Sequence, residues 1–166
     1  LIEGAGGRTL TFGELDAAVR SLAGGFVARG RAVGEVVGIM APNLPEYAVV
    51  FHGTAMAGGT VTTINPTYTA GEVHHQLVDS GATMLFTIAP FLEVARAAAV
   101  DTAVTEIVVL GADAAVGARH HGNAEPLGGL LGFDLVAHQA DVFGLRADEM
   151  QIVFTEDFGE PRILGQ

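Results

Sequence analysis

Four short apolar runs, Val36–Met40, Val61–Ile64, Met84–Ile88 and Ile107–Leu110, recur along the first two-thirds of the chain, each preceded by a segment of helical character. Runs of this length read as strands covered on both faces. The segments between them carry start and stop signals for helices. Thr11 with Glu14, and Thr69 with Glu72, have the spacing of a capping box. Pro45 suits a first helical position, and Glu46 suits the positive end of a helix dipole. Phe12, Leu15, Val19, Leu22 and Phe26 recur at steps of three and four, which places them on one helical face that Gly30 stops. The second helix runs through Tyr47, Val50, Phe51 and Ala55 to Gly58-Gly59, the third through Val73 and Leu77 to Ser80-Gly81, and the fourth from Phe91 to Val100. Strict helix–strand alternation predicts an α/β fold with a mostly parallel sheet flanked by helices, because parallel neighbours need a covering crossover between them.

The size and composition suit one such core. A chain of 166 residues is long enough to bury roughly two-thirds of its unfolded surface. Hydrophobic residues make up 49% and charged residues 16%, which argues against disorder. The net charge of -11 sets 19 acidic groups against 8 basic ones, all Arg and scattered from Arg8 to Arg162. Nucleic-acid binding would need a clustered basic face, so it is not expected. Without Cys there is no disulfide, thiolate nucleophile or cysteine metal site. No apolar run is of membrane-spanning length, and the first residues lack a signal-peptide pattern, so a cytoplasmic location is expected. Leu1 stands where an initiator Met would, which implies a longer gene product.

Three stretches differ in character: residues 1–110 carry the α/β pattern, 111–147 form an irregular Ala-, Gly- and His-containing excursion with one short helix near Leu127–Leu131, and 148–166 form a distinct tail. Three linked passages in the first stretch resemble a known family. Val36-Val37-Gly38-Ile39-Met40-Ala41-Pro42-Asn43-Leu44-Pro45-Glu46-Tyr47 is similar to the strand–"PN-x-PE[FY]"–helix passage of 4-coumarate–CoA ligases and related acyl-CoA synthetases. Gly58-Gly59-Thr60-Val61-Thr62-Thr63-Ile64-Asn65-Pro66-Thr67-Tyr68-Thr69-Ala70-Gly71-Glu72-Val73 is similar to their "AGG-x-VTT-x-NP-x-YT-x-GE[IL]" passage, and Thr9–Leu15 to their opening "x-T[YF]-x-EL". The resemblance covers roughly residues 8 to 110 and implies the N-terminal subdomain of the acyl-CoA synthetase-like fold, in truncated form. It also implies an adenylate-forming acid–CoA ligase, in which a carboxylate attacks the α-phosphate of Mg-ATP and the CoA thiol then displaces AMP. Substrates of that class are carboxylic acids, aryl or fatty. These passages shape turns and helix ends, and none has the side chains for bond-making.

The first step needs a loop whose amides and hydroxyls hold a triphosphate. In the family this is a hydroxyl-rich segment ending in "G-x-PKG", and the matching place here is 148–162, with Phe154-Thr155 and Gly159-Glu160-Pro161-Arg162 as its flanks. The resemblance thus points to Thr155, Gly159 and Arg162 as a degenerate ATP loop. Between the flanks, Glu156-Asp157-Phe158 replaces the hydroxyl-rich centre and is one residue short. At roughly 4 Å, each like-charge contact with a polyanion costs about 1 kcal/mol even in bulk water. Ile163 stands where the family has Gly, and Gln166 precedes the family's remaining determinants. The expectation is that ATP, Mg²⁺ and CoA serve the family but do not bind well to this chain alone, which has no complete active site and no catalytic residue of its own.

Other constellations carry less. The pairs His74-His75 and His120-His121 lack the i, i+4 spacing of a zinc helix and read as solvated, so no metal site is expected. His52, after Val49-Val50-Phe51, reads as packed against its helix. Ser21 and Ser80, the chain's serines, sit in no nucleophile elbow. Asp101, Glu106, Asp113, Asp134 and Asp141 read as solvated loop and end charges. Two other function classes remain open. One is a non-catalytic module that binds an acyl ligand or a protein partner and self-associates through exposed apolar surface. The other is an unrelated Rossmann-like nucleotide or sugar domain, supported by the alternation alone.

Overall fold

The computed structural model describes residues 1–4, 7–31 and 33–111, together with a strand at 150–153. The expected short helix at 127–131, the His120-His121 pair and Asp113, Asp134 and Asp141 lie outside the described residues. The elements are α1 (Phe12–Ala28), β1 (Val36–Met40), α2 (Pro45–Met56), β2 (Thr60–Thr63), α3 (Ala70–Ser80), β3 (Met84–Ile88), a 3₁₀ turn (Ala89–Phe91), α4 (Leu92–Ala99), β4 (Glu106–Leu110) and β5 (Met150–Val153).

Both capping boxes form. The Thr11 hydroxyl accepts from the Glu14 amide while the Glu14 carboxylate accepts from the Thr11 amide at 2.8 Å, and Thr69 and Glu72 repeat the arrangement. Each box satisfies two amides that a helix start would leave unpaired. Gly81 ends α3 at φ 65°, a left-handed conformation that glycine adopts without a Cβ clash.

The strands order β2-β1-β3-β4-β5, with the first four parallel and β5 antiparallel to β4. The unit β1-α2-β2 steps one way along the sheet and β3-α4-β4 steps the other. A single crossover hand therefore requires α2 and α4 on opposite faces, and the two cores show that arrangement. Leu22 and Phe26 of α1 and Val49 and Val50 of α2 pack on Val37, Ile39, Met84, Phe86, Val108 and Leu110. On the other face Val73, Leu77, Leu92, Ala95, Ala98 and Ala99 pack on Met40, Leu85, Ile107 and Val109. Alternate residues of each strand thus serve opposite cores, as the two-residue period of a strand requires. Phe26 meets Phe86 edge to face, with ring centroids 6.4 Å apart.

Several expectations need correction. Phe12 is the first residue of α1 and is 83% exposed, because burial on that helix begins only with Leu15. The second strand is Thr60–Thr63 and leaves Ile64 just past it, and the fourth helix begins as a 3₁₀ turn before Leu92. His52 is exposed and meets the Phe51 ring edge-on instead of packing inward. On α2 the buried pairs Val49-Val50 and Gly53-Thr54 alternate with the exposed pairs Phe51-His52 and Ala55-Met56. Both faces are apolar, so periodicity could not say which one turns in. The antiparallel β5 was not anticipated at all.

Candidate functional site

Thr155, Gly159 and Arg162, with the intervening Glu156-Asp157-Phe158, lie outside the described residues. The structure does describe the strand that leads into them. β5 pairs Leu110 with Met150 and Ile107 with Val153, so it runs back along β4 and ends beside the first residues of that strand. The chain therefore leaves β5 at the edge of the sheet where the parallel strands begin.

That edge holds a buried ionic cluster. Glu106, the first residue of β4, is 2% exposed. It accepts two hydrogen bonds from the Arg29 guanidinium at 2.9 and 3.0 Å, and one from Arg31 at 2.6 Å. Arg31 also pairs with Glu35, and Glu35 accepts from the Thr83 hydroxyl. The Thr83 carbonyl accepts from the Thr105 amide at 2.8 Å and from its hydroxyl at 3.2 Å. The end of α1 is thereby tied to the starts of β1, β3 and β4. The sequence reading of Glu106 as a solvated charge is wrong, because its partners lie 77 and 75 positions away and leave no local sign. A carboxylate this buried is tolerable because it is paired with two guanidiniums that give it three hydrogen bonds.

A second buried carboxylate starts α2. Glu46, 6% exposed, binds Arg8 at 2.8 Å and pins the N-terminal segment to that helix. The hydrogen bond that Arg8 donates to the Glu46 carboxylate holds the guanidinium above its ordinary pKa against the opposing effect of burial. His74 is half-buried, and its Nδ1 meets the Ala98 carbonyl oxygen at 3.0 Å, linking α3 to α4, so it is not the solvated residue expected. Asp101 is exposed, as expected, and adopts a left-handed φ of 57°.

Two clefts accompany these groups. A narrow one of about 20 Å³ lies beneath the cluster, lined by Phe26, Arg31, Glu35, Thr54, Gly59 and Met84 among others, with room for about one water. The buried Thr54 hydroxyl has no hydrogen-bond partner among the described residues. The other is an open groove along α3 between Tyr68 and Asp79, lined by Glu72 and His75. Neither fits a nucleotide: the first is too small, and the second faces a polyanion with Glu72 and Asp79. Arg29 and Arg31 are committed to Glu106 and Glu35, so the cluster offers no free cation to a triphosphate. Among the described residues no group of three or more His, Asp or Glu could hold a metal ion. No helix among them is long and apolar enough to cross a membrane.

Residues 1–141 match the family described as AMP-binding enzyme. The chain belongs to that family. Among curated relatives of this AMP-binding chain, a 4-coumarate–CoA ligase of Pinus taeda is 40% identical over 93 residues, which are 56% of this chain and 17% of the relative. The 4-coumarate–CoA ligase 3 of Oryza sativa subsp. japonica is 38% identical over 112 residues, 68% of this chain and 20% of the relative. This AMP-binding chain thus spans about a fifth of the length of the relatives it matches. Among solved structures, the N-terminal domain of FACL13 from Mycobacterium tuberculosis superposes with a TM-score of 0.60 at 28% identity, covering 80% of this chain and 34% of that one. A fatty acyl CoA synthetase of the same organism gives 0.59 at 28% identity, covering 80% and 27%. The described α/β sheet therefore has the fold of an acyl-CoA synthetase N-terminal domain.

Proposed function

We propose that this chain supplies the N-terminal α/β scaffold of an ATP-dependent ligase joining a carboxylic acid, aryl or fatty, to the thiol of CoA through an acyl-adenylate. The observation that carries the reading is the family match across residues 1–141. It agrees with the placement of the resembling passages, which build β1-α2 and β2-α3. In this reading residues 1–110 are the scaffold, 111–147 an excursion, and 148–166 a degenerate nucleotide loop with Thr155, Gly159 and Arg162 at its flanks. The ligase works in the cytoplasm and does not bind nucleic acid.

The 166 residues alone neither bind ATP tightly nor catalyse. Glu156 and Asp157 occupy the centre of the loop, and the described guanidiniums at the sheet edge are already paired. The decisive assay is carboxylate-dependent exchange of labelled pyrophosphate into ATP by the purified chain, with and without CoA. No exchange above a heat-killed control is expected, and turnover would overturn the inactivity of the isolated chain. The same two carboxylates favour a second reading, a non-catalytic module that binds an acyl group or a protein partner. Saturable binding of a fatty or aryl acid, with no ATP binding, would select that reading.

A further inference from the structure

We propose that the outer edge of β2, together with the acidic groove of α3 beside it, docks an extended basic segment of a partner protein by strand addition. Among the described residues β2 closes the sheet, pairing with β1 and with no strand beyond it. The Thr60 amide donates to the Glu35 carbonyl at 2.9 Å and the Ile64 amide to that of Ile39 at 2.8 Å. Along a strand the N–H and C=O of one residue point to the same side, and the side alternates from residue to residue. The main-chain groups of Val61 and Thr63 therefore face outward. The Thr63 carbonyl is taken by the Gln76 side-chain amide at 2.9 Å, which also reaches the Thr62 hydroxyl at 3.0 Å. The N–H and C=O of Val61 and the N–H of Thr63 are left for an incoming strand.

Thr60-Val61-Thr62-Thr63 carries no charge and no proline, the residues that commonly block an exposed edge. So short an edge offers few main-chain bonds, and side chains must supply the rest of the affinity. Gln76 joins the edge to the open groove along α3, whose lining includes Glu72, His75 and Asp79 and no arginine. All three are exposed, and the Thr69 amide keeps the Glu72 carboxyl ionised by lowering its pKa. In an added strand every second side chain lies on the α3 side of the sheet, so basic residues at alternate positions meet these two carboxylates. A second copy of this chain suits the edge poorly. It would bring its own Glu72 and Asp79 there, on a chain of net charge -11.

The test uses the 166-residue chain and three capped eight-residue peptides: valine alternating with lysine, the same with glutamate for lysine, and the lysine peptide with proline for valine. Binding is read by fluorescence anisotropy and amide protection by hydrogen exchange in NMR spectra. The valine–lysine peptide should bind saturably and slow exchange at the Val61 and Thr63 amides, and the other two should bind at least about tenfold more weakly. Val61→Pro, which removes an outward donor and no β1 bond, should weaken the valine–lysine peptide by about five- to tenfold. Asp79→Lys, at an exposed position, should weaken it by a similar factor. The proposal is overturned if the valine–lysine peptide does not bind, if either control peptide binds equally well, if binding to either folded variant is unchanged, or if protection is confined to other strands. Protection of Val61 and Thr63 that grows with protein concentration in the absence of peptide would also overturn it and assign the edge to a second copy. If Val61→Pro does not fold, Asp79→Lys and the exchange map decide.

Discussion

A Cβ added at Gly53 would lie 2.7 Å from Leu22 Cδ2 and 3.0 Å from its Cβ and Cγ. Leu22 of α1 is fully buried, and its backbone-anchored Cβ is among the atoms met, so rotating the side chain does not clear the contact. Gly53→Ala should therefore destabilise the chain by about 1–3 kcal/mol through overpacking, read as a lower urea midpoint. The neighbouring Thr54 should behave in the opposite way. Its buried hydroxyl is without a partner among the described residues, and an unmet buried hydroxyl costs about 1–3 kcal/mol. Thr54→Val, which keeps the shape, is expected to raise the midpoint, and a fall would mean that a water bound in the cleft satisfies the hydroxyl. Neither effect was legible in the sequence, where Gly53 and Thr54 are small residues in an apolar helix. Glu106 makes the same point more strongly, since charge alone suggested solvent.

The helices show which signals are local. The Thr-x-x-Glu spacing was read correctly at Thr11 and Thr69 because both halves of a capping box lie within one turn. In the second box, the Thr69 backbone amide and then its hydroxyl hold the Glu72 carboxyl below its ordinary pKa. A lowered carboxylate pKa gives stability that is present above the ordinary carboxylate range and is lost as pH falls through the lowered value. Protection of the α3 amides against hydrogen exchange, taken relative to the intrinsic rate at each pH, should accordingly fall on acidification through that window, and Glu72→Gln should remove that part of the pH dependence. Equal pH profiles for the two proteins would contradict it. For α2, local signals gave the helix and its start but not its inward face, because Phe51 and Met56 outside are as apolar as Val49 and Val50 inside.

For the whole molecule, the sheet separates two cores that share strands but not side chains. Ile39 points to the α1/α2 side and Ile107 to the α3/α4 side, both fully buried. Ile39→Val and Ile107→Val should each cost about 1 kcal/mol. Measured by urea unfolding, the double variant should equal the sum of the singles within about 0.5 kcal/mol. A larger discrepancy would show that strain passes through the sheet.

By itself the sequence determined the element order, the four parallel strands, the capped helix starts and the family, because each is written within short windows or in linked passages of fixed spacing. The candidate loop residues were legible only by resemblance. The tertiary structure decided which face of α2 turns inward and the addition of β5 antiparallel to β4. It also decided the burial of Glu106 against Arg29 and Arg31. Each of these depends on a partner that the chain brings in from tens of residues away, and no local pattern of hydropathy or charge specifies such a partner.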